Sequence, residues 1–390
     1  MKKPPLESSL SSSTRLTSDH IYFDRSSKAA NKAMQLEGHT ETPDDRDAAL
    51  LWLRKNYKRK INHLAPHQLI NHFQNESAII NKGYLTETLT RHEQRRTDVS
   101  LPMSQFYRQS YRLYDPVERE TFFSQLPETD TPDNLWIYKP GNNSRGRGIK
   151  ILWEFDDLRK EYAALGNRPV TNKREQGIIQ RYISNPLLLE GRKSELRVYW
   201  LVASIDPLMV LVYPDATVRL NSLPYKLDDF DNQLVHVTNV YQQKNHPDYD
   251  PDVVLKWKFE DFGRYLSQEL GCVDADFIHA QLLPQIRRIL HTVSLAAREK
   301  LKLNYPKQGD CFAVFGADLM LDDNLNPWLL EVQKSPGLSF SDAVKRDVIP
   351  PMLGEAARIM FEIRNRRLNG QSLGNLQSVD KYQWVANEAV

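Results

Sequence analysis

Two apolar runs near the C-terminal end constrain this chain more than anything else in it. Residues 315–321 read Phe-Gly-Ala-Asp-Leu-Met-Leu and residues 327–333 read Pro-Trp-Leu-Leu-Glu-Val-Gln, with Asp322-Asp323-Asn324-Leu325-Asn326 between them. Short apolar and aromatic runs around an Asp/Asn cluster read as two buried strands joined by a turn. Two carboxylates interrupt the runs, Asp318 and Glu331, and their numbers are symmetric about Asn324-Leu325. In a regular hairpin they therefore face each other, with Cβ atoms roughly 4.5–5.5 Å apart. Gln333 lies two residues past Glu331 and shares its face. Like charges so placed repel unless a cation sits between them. Hard oxygen donors of this kind suit Mg²⁺ together with bound phosphates. The competing reading is a hairpin with carboxylates in water, which the apolar neighbours disfavour.

The chain has 390 residues, room for two or three structural units. Its 40 % hydrophobic and 26 % charged residues are ordinary for a globular protein. A net charge of +2 is too balanced for bulk nucleic-acid binding, and the basic residues lack an aromatic stacking motif. Cys272 and Cys311 cannot form a disulfide framework and fit a reducing compartment. No apolar run reaches the ~18 residues of a membrane span, and no apolar leader opens the chain. The expectation is a cytoplasmic monomer without membrane or nucleic-acid partners, with a non-classical export signal left open.

Residues 1–44 are Ser-, Thr- and charge-rich and read as a flexible segment. Residues 45–133 read as an N-terminal domain, opening with a helix over 48–53 capped by Asp44-Asp45. Arg54-Lys55 and Lys58-Arg59-Lys60 form a cation cluster, either a solvated helix face or a dock for an acidic polypeptide. Residues 134–235 and 236–370 read as two further lobes, and 371–390 as a flexible tail. Leu135 to Tyr138 is a strand, ending in Lys139-Pro140-Gly141-Asn142-Asn143-Ser144-Arg145-Gly146-Arg147-Gly148, with a partner strand over 149–153. A cationic Gly/Asn loop offers backbone N–H groups and Lys/Arg donors to phosphate oxygens. It lacks the Gly-Lys-Ser/Thr of a Walker A loop. A strand over 177–183 follows. Strand alternation then puts Lys193, Glu195 and Arg197 on one face, opposite Leu196 and Val198. That face is a surface ion-pair ladder or the polar floor of a nucleotide site. Residues 209–213 and 217–220 read as a hairpin, with Arg219 near its end. His236-Val237-Thr238-Asn239 is a polar segment in which His236 reads as a structural hydrogen bonder.

The ordered set resembles the ATP-grasp fold, and more closely the tubulin-tyrosine-ligase-like family. The resemblance rests on residues 136–149, 180–188, 193–199, 236–239 and 315–338, and more weakly on Lys60-Ile61-Asn62-His63-Leu64 and Lys82-Gly83-Tyr84-Leu85. It spans about residues 50–365. It implies an α+β fold of antiparallel sheets flanked by helices, with a smaller N-terminal α/β domain and ATP between the central and C-terminal lobes. It also implies roles. Lys139 and Arg145 would hold ATP phosphates, with Gly146 and Gly148 closing the loop. Gln180, Arg181, Tyr182 and Ile183 would frame the adenine, Lys193 would reach it, and Glu195 would lie by the ribose. Arg197 and Arg219 would neutralise the γ-phosphate and an acyl-phosphate. Thr238, Asn239 and Lys244 would line the phosphate or acceptor side. Asp318, Glu331 and Gln333 would hold Mg²⁺.

The implied reaction activates a protein carboxylate as an acyl-phosphate, and the α-amine of a free amino acid displaces phosphate. Cations and metal ligands then suffice, without a nucleophilic side chain. Glutamylation of a protein with an acidic segment, such as a tubulin tail, is the first expectation, with free glutamate as co-substrate. Tyrosine or glycine ligation, a nucleotide-binding adaptor and a small-molecule ligase are the alternatives. Three positions depart from the family pattern. Glu331-Val332-Gln333 stands for Glu-x-Asn, Lys193-Ser194-Glu195-Leu196-Arg197 for Lys-Phe-Asp-x-Arg, and Arg181 for Lys.

Overall fold

The computed structural model describes residues 19–126, 134–141, 146–164, 166, 168, 170, 176–334 and 336–390. Its centre is a seven-stranded sheet built on two long strands, β9 (Arg192–Ile205) and β10 (Leu208–Leu220). The path runs β11 (Lys256–Lys258), β10, β9, β13 (Ala313–Leu321), β14 (Pro327–Gln333). Beside it, β8 (Leu188–Leu189) pairs β9 and β15 (Gln383–Asn387) pairs β10. A second, four-stranded antiparallel sheet runs β4 (Ser110–Arg112), β7 (Ile178–Arg181), β5 (Trp136–Lys139), β6 (Lys150–Leu152). A third, parallel sheet runs β1 (Ile21–Phe23), β2 (Leu50–Trp52), β3 (Leu69–Ile70), β12 (Asp310–Cys311).

Strand alternation explains both the core and the site. On β9, Leu196, Val198, Trp200 and Val202 share one core with the Leu283–Lys302 helix. On the other face, Tyr199, Leu201 and Ala203 enter a second core with the Ala343–Leu368 helix. The same face carries Lys193, Glu195 and Arg197 earlier in the strand. That helix covers the apolar half of the face, and the polar half lines or borders a cavity. Trp200 and Phe315, both fully buried, pack with ring centroids 5.4 Å apart in the first core.

Several sequence expectations change. Within the segment read as flexible, residues 1–18 lie outside the described residues, but 19–44 carry β1 and the Lys28–Leu36 helix. Ile21, Ala33 and Met34 are fully buried there, which holds that stretch in place. Residues 50–52 form β2 instead of a helix, because Leu50-Leu51-Trp52 is buried on both faces of a parallel sheet. The hairpin read over 209–220 is one strand with a register shift between Val212 and Ala216. The 371–390 tail is built in: β15 pairs β10, Tyr382 is buried, and Glu355 accepts the Asp380 and Tyr382 N–H groups at 2.8 and 2.9 Å. The sheets also cut across the sequence-read lobes. β4 joins the sheet of β5 to β7, β12 joins the N-terminal sheet, and β9 to β14 share one sheet across residue 236.

Candidate active site

A cavity of about 840 Å³ opens between the polar face of the large sheet and the β5–β7 sheet. The hairpin that opened the sequence argument forms one wall. β13 and β14 pair antiparallel with Asp318 opposite Glu331, although the pairs next to the turn centre on Asn324 and regular pairing would have set Asp318 against Leu330. A register shift just past Asp318 places Leu319 against Leu329 and leaves Leu330 as the extra residue. Across the sheet, Thr217, Arg197, Asp318 and Glu331 form one cross-strand row over β10, β9, β13 and β14.

Every carboxylate on this wall has a cation. Arg197 grips Asp318 with two nitrogens, Nη2 lying 2.7 Å from Oδ2, and spends Nη1 on the Pro336 carbonyl at 2.8 Å. Arg219 Nη1 lies 2.5 Å from Glu195 Oε1 and 3.6 Å from Asp318 Oδ2. Thr238 Oγ1 donates to the other Glu195 oxygen at 2.5 Å. Lys82 Nζ lies 2.6 Å from Glu331 Oε2. Burial works to raise the Glu331 carboxyl, but Lys82 and the Gln333 amide outweigh it and hold it well below the usual carboxylate range. Burial and the charge of Asp318 push Glu195 up, against the pull of Arg219.

The lysine wall, which joins the end of β5 to the first residues of β9, is different. Lys139 ends β5, and its ammonium donates to Gln180 Oε1 at 2.6 Å. Ser110 Oγ accepts the Gln180 amide N–H at 2.8 Å, which turns the carbonyl toward the lysine. Burial, then Lys82, lowers Lys139 to about 8. Lys193 donates to the Tyr182 hydroxyl at 2.8 Å and the His236 carbonyl at 3.3 Å, and burial lowers it to about 7. His236 Nε2 faces the Asp229 carbonyl at 2.9 Å, so it donates there, and Nδ1 accepts from Tyr182 at 3.0 Å. Burial and Lys193 lower His236 to about 4, which keeps this imidazole neutral and structural.

The residues fit a hard cation. Gln333 Nε2 donates to Glu331 Oε1 and lies 3.4 Å from Asp318 Oδ2, so both carboxylates converge on one point. A half-turn of the amide would bring the Gln333 oxygen to that point. Among the described residues no three His, Cys, Asp or Glu side chains form a metal cage. Two carboxylates and an amide match Mg²⁺, which keeps waters and substrate phosphates as its other ligands.

Most of the sequence-read residues meet here. Lys139, Gly146, Gln180, Arg181, Tyr182, Ile183, Lys193, Glu195, Arg219, Thr238, Asn239, Asp318, Glu331 and Gln333 all line the cavity. Gly146 has φ +75°, and a Cβ there would meet Val237 Cγ1 at 2.8 Å, so the loop rests on the 236–239 segment only as glycine. Gly148 also has positive φ but does not line the cavity. Arg145 lies outside the described residues. Lys244 is exposed at the end of the Val240–Lys244 helix and does not line the cavity. The buried neighbour Gln243 ties that helix down through Ser222 and Val237. Arg197 lies behind the lining, 2 % exposed with its donors committed, whereas Arg219 of the neighbouring strand lines the cavity. Lys82 and Lys334, to which sequence reading gave no role, also line it, as does Arg54 of the cation cluster. Lys82 carried a signal: it is the first residue of the Lys82–Arg95 helix, where a cation is unfavourable without a local anion.

The tubulin-tyrosine ligase family model matches residues 59–367. The chain belongs to the tubulin-tyrosine ligase family. The bovine probable tubulin polyglutamylase TTLL9 is 30 % identical over 322 residues, covering 74 % of this chain and 67 % of that protein. The polyglycylase TTLL10 of Macaca fascicularis is 32 % identical over 74 % of this chain and 47 % of its own length. The human protein named inactive polyglycylase TTLL10 is 31 % identical over 74 % of this chain and 43 % of its own. Family membership makes this chain a ligase by descent, and its antiparallel sheets flanked by helices fit that family's fold. No helix among the described residues is long and apolar enough to cross a membrane.

Proposed function

We propose that this protein is an ATP- and Mg²⁺-dependent ligase that adds glutamate to a carboxylate of an acidic protein segment. The observation that carries the reading is the charge of the cavity. Among its described lining residues are eight Lys or Arg side chains and only three carboxylates. Such a surplus suits several anions at once: the ATP phosphates, an acceptor carboxylate and glutamate. Glycine and tyrosine bring one carboxylate fewer than glutamate, so the surplus favours glutamate over the other donors used in this family. The polyglutamylase name of the bovine relative supports the same choice. Arg54, Lys55, Lys58 and Arg59 are exposed, and Arg54 lines the cavity, so an acidic acceptor has a cationic approach.

Lys139 and Lys193 would meet phosphates, recovering charge that burial makes costly. Gln180 and residues 181–183 would receive the adenine, and Gly146 would let the loop approach the phosphates. Arg219 faces the space where the acceptor carboxylate meets the γ-phosphate and would lower their repulsion. Asp318, Glu331 and Gln333 would hold Mg²⁺, which supplies charge neutralisation on the phosphates. Arg197 fixes Asp318 for that task. Attack of the acceptor carboxylate on the γ-phosphate gives an acyl-phosphate and ADP. Attack of the glutamate α-amine then forms the amide and releases phosphate.

The test is incubation with ATP, Mg²⁺, tubulin or an acidic peptide, and labelled glutamate, glycine or tyrosine in turn, read by mass spectrometry. Glutamate incorporation is the expected result. Incorporation of glycine or tyrosine alone would overturn the choice of amino acid. ATP binding with no ligation for any pair would support the adaptor reading instead.

A further inference from the structure

Residues 336–339, ahead of the Ala343–Leu368 helix, form a short loop that is pinned more firmly than its sequence suggests. Pro336 gives its carbonyl to Arg197 Nη1 at 2.8 Å. Its ring packs on Gly316, where an added Cβ would fall 2.6 Å from Pro336 Cβ. Gly337 lines the cavity with φ +69°, a conformation that favours glycine. Lys345 sits in the first turn of the Ala343–Leu368 helix, and its ammonium reaches back to two carbonyls of this loop, those of Gly337 and, at 3.1 Å, Ser339. A side chain on Gly337 would begin 3.5 Å from that ammonium. The helix end that carries Lys345 is itself fixed. Asp342 caps the Lys345 N–H at 3.0 Å and pairs with Lys256 of β11 at 2.5 Å.

We propose that Lys345 is a positioning residue of the ligase reaction: it clamps the 336–339 loop as the cavity wall beside the Arg197–Asp318 pair. The assignment rests on the ligase reading above. Arg197 is the link. The same guanidinium holds the loop at Pro336 and the carboxylate of Asp318, so a loose loop would loosen a candidate metal ligand. Lys345 does not line the cavity and touches no substrate. The wall it holds borders the end of the cavity where Arg219, Asp318 and Gln333 meet the reacting groups. ATP binding at Lys139, Gln180 and Lys193 does not depend on it.

The clamp is also sensitive to pH. Burial lowers Lys345 to about 8, helped by the charges of Lys256 on β11, Arg219 on β10 and Arg197 on β9, with Asp342 opposing them. Above that pH the two carbonyl contacts lose their charge-assisted strength.

The experiment compares wild type, Lys345→Met and Lys345→Arg at saturating ATP, which removes the titration of Lys139 and Lys193 from the comparison. In Lys345→Met, kcat/KM for the acceptor should fall about tenfold to a hundredfold, the scale of a small misplacement in a site. The Kd for ATP should stay as in wild type. Hydrogen exchange at one fixed pH should rise across 336–341 and nowhere else. Wild-type kcat/KM should decline above about pH 8, and Lys345→Arg, whose side chain keeps its charge, should carry its activity further into alkali. Unchanged loop exchange with unchanged kcat/KM in Lys345→Met would overturn the proposal. So would an equal loss of ATP affinity, which marks a general structural role, or an alkaline decline identical in Lys345→Arg. If wild type ligates nothing, the exchange and ATP measurements still decide the clamp, and the failure belongs to the ligase reading.

Discussion

The two walls of the cavity handle buried charge in opposite ways. On the hairpin wall each carboxylate is matched in advance: Asp318 by Arg197, Glu195 by Arg219, Glu331 by Lys82. On the lysine wall, made by Lys139 of β5 and Lys193 at the start of β9, both lysines are buried against neutral oxygens and pulled down toward neutrality. A paired wall is already built and needs no substrate anion to hold its shape. An unpaired wall pays a desolvation cost until an anion arrives. On the proposed reading, the difference says where each group belongs: phosphates with the lysines, and the metal with the carboxylate wall.

The sharpest way to break this comparison is Glu331→Gln. It removes the charge of a proposed metal ligand on the hairpin wall, and ligation should fall by roughly a thousandfold or more as charge neutralisation is lost. Circular dichroism should show an unchanged fold, and retained turnover would put the metal elsewhere. Next is Lys139→Met on the other wall. ATP should bind about tenfold to a hundredfold more weakly, the loss of a charge-assisted contact or two, as read by calorimetry. If Lys139→Met binds ATP as wild type does, the lysine wall is not the phosphate wall.

Proton linkage tests the same contrast without mutation. Free Lys139 is held at about 8 and free Lys193 at about 7. Bound phosphate raises both, so at pH 8 the complex carries more protons than the free protein. ATP binding should therefore take up protons at pH 8 and weaken as pH rises from about 7 to 9. Calorimetry in buffers of different ionisation enthalpy measures this, and net proton release would contradict it. Lys82→Met should leave the mostly buried Glu331 short of a partner. A loss of about 1–3 kcal/mol is expected in thermal unfolding, partly restored by Mg²⁺. The smallest effect is expected for Gln333→Asn, a change of a few-fold in turnover either way. A rise means the extra methylene is a handicap, and a fall means the pocket has adapted to it.

Much of this site could be read from sequence because it lies on strands. The facing of Asp318 and Glu331 was expected from their spacing about a turn, although a bulge at Leu330 and not regular pairing brings it about, and the Lys193-Glu195-Arg197 face followed from a period of two. Position on a face does not reveal access, however. Arg197 and Arg219 looked alike in sequence, yet the 336–339 loop and Asp318 use up the donors of one and leave the other facing the cavity. Lys82 was opaque because its partner lies 249 residues away in a different element, and only the fold brings the two together. The β2 strand was read as a helix because Ala-Ala-Leu-Leu-Trp-Leu suits either structure. Pairing with β1 and β3, a long-range fact, decides it. The 19–44 and 371–390 segments looked flexible by composition. A few buried side chains, Ile21 and Tyr382 among them, are enough to fix each one.

The central claim is that these walls run one reaction, in which a phosphate is released for each amide formed. The direct measurement is simultaneous counting of phosphate and of acceptor-bound labelled glutamate, in wild type and in Glu331→Gln. The account predicts equal amounts in wild type, dependence on both glutamate and acceptor, and loss of both products in the variant. Phosphate release that ignores glutamate and acceptor, or ligation that survives in Glu331→Gln, would contradict it.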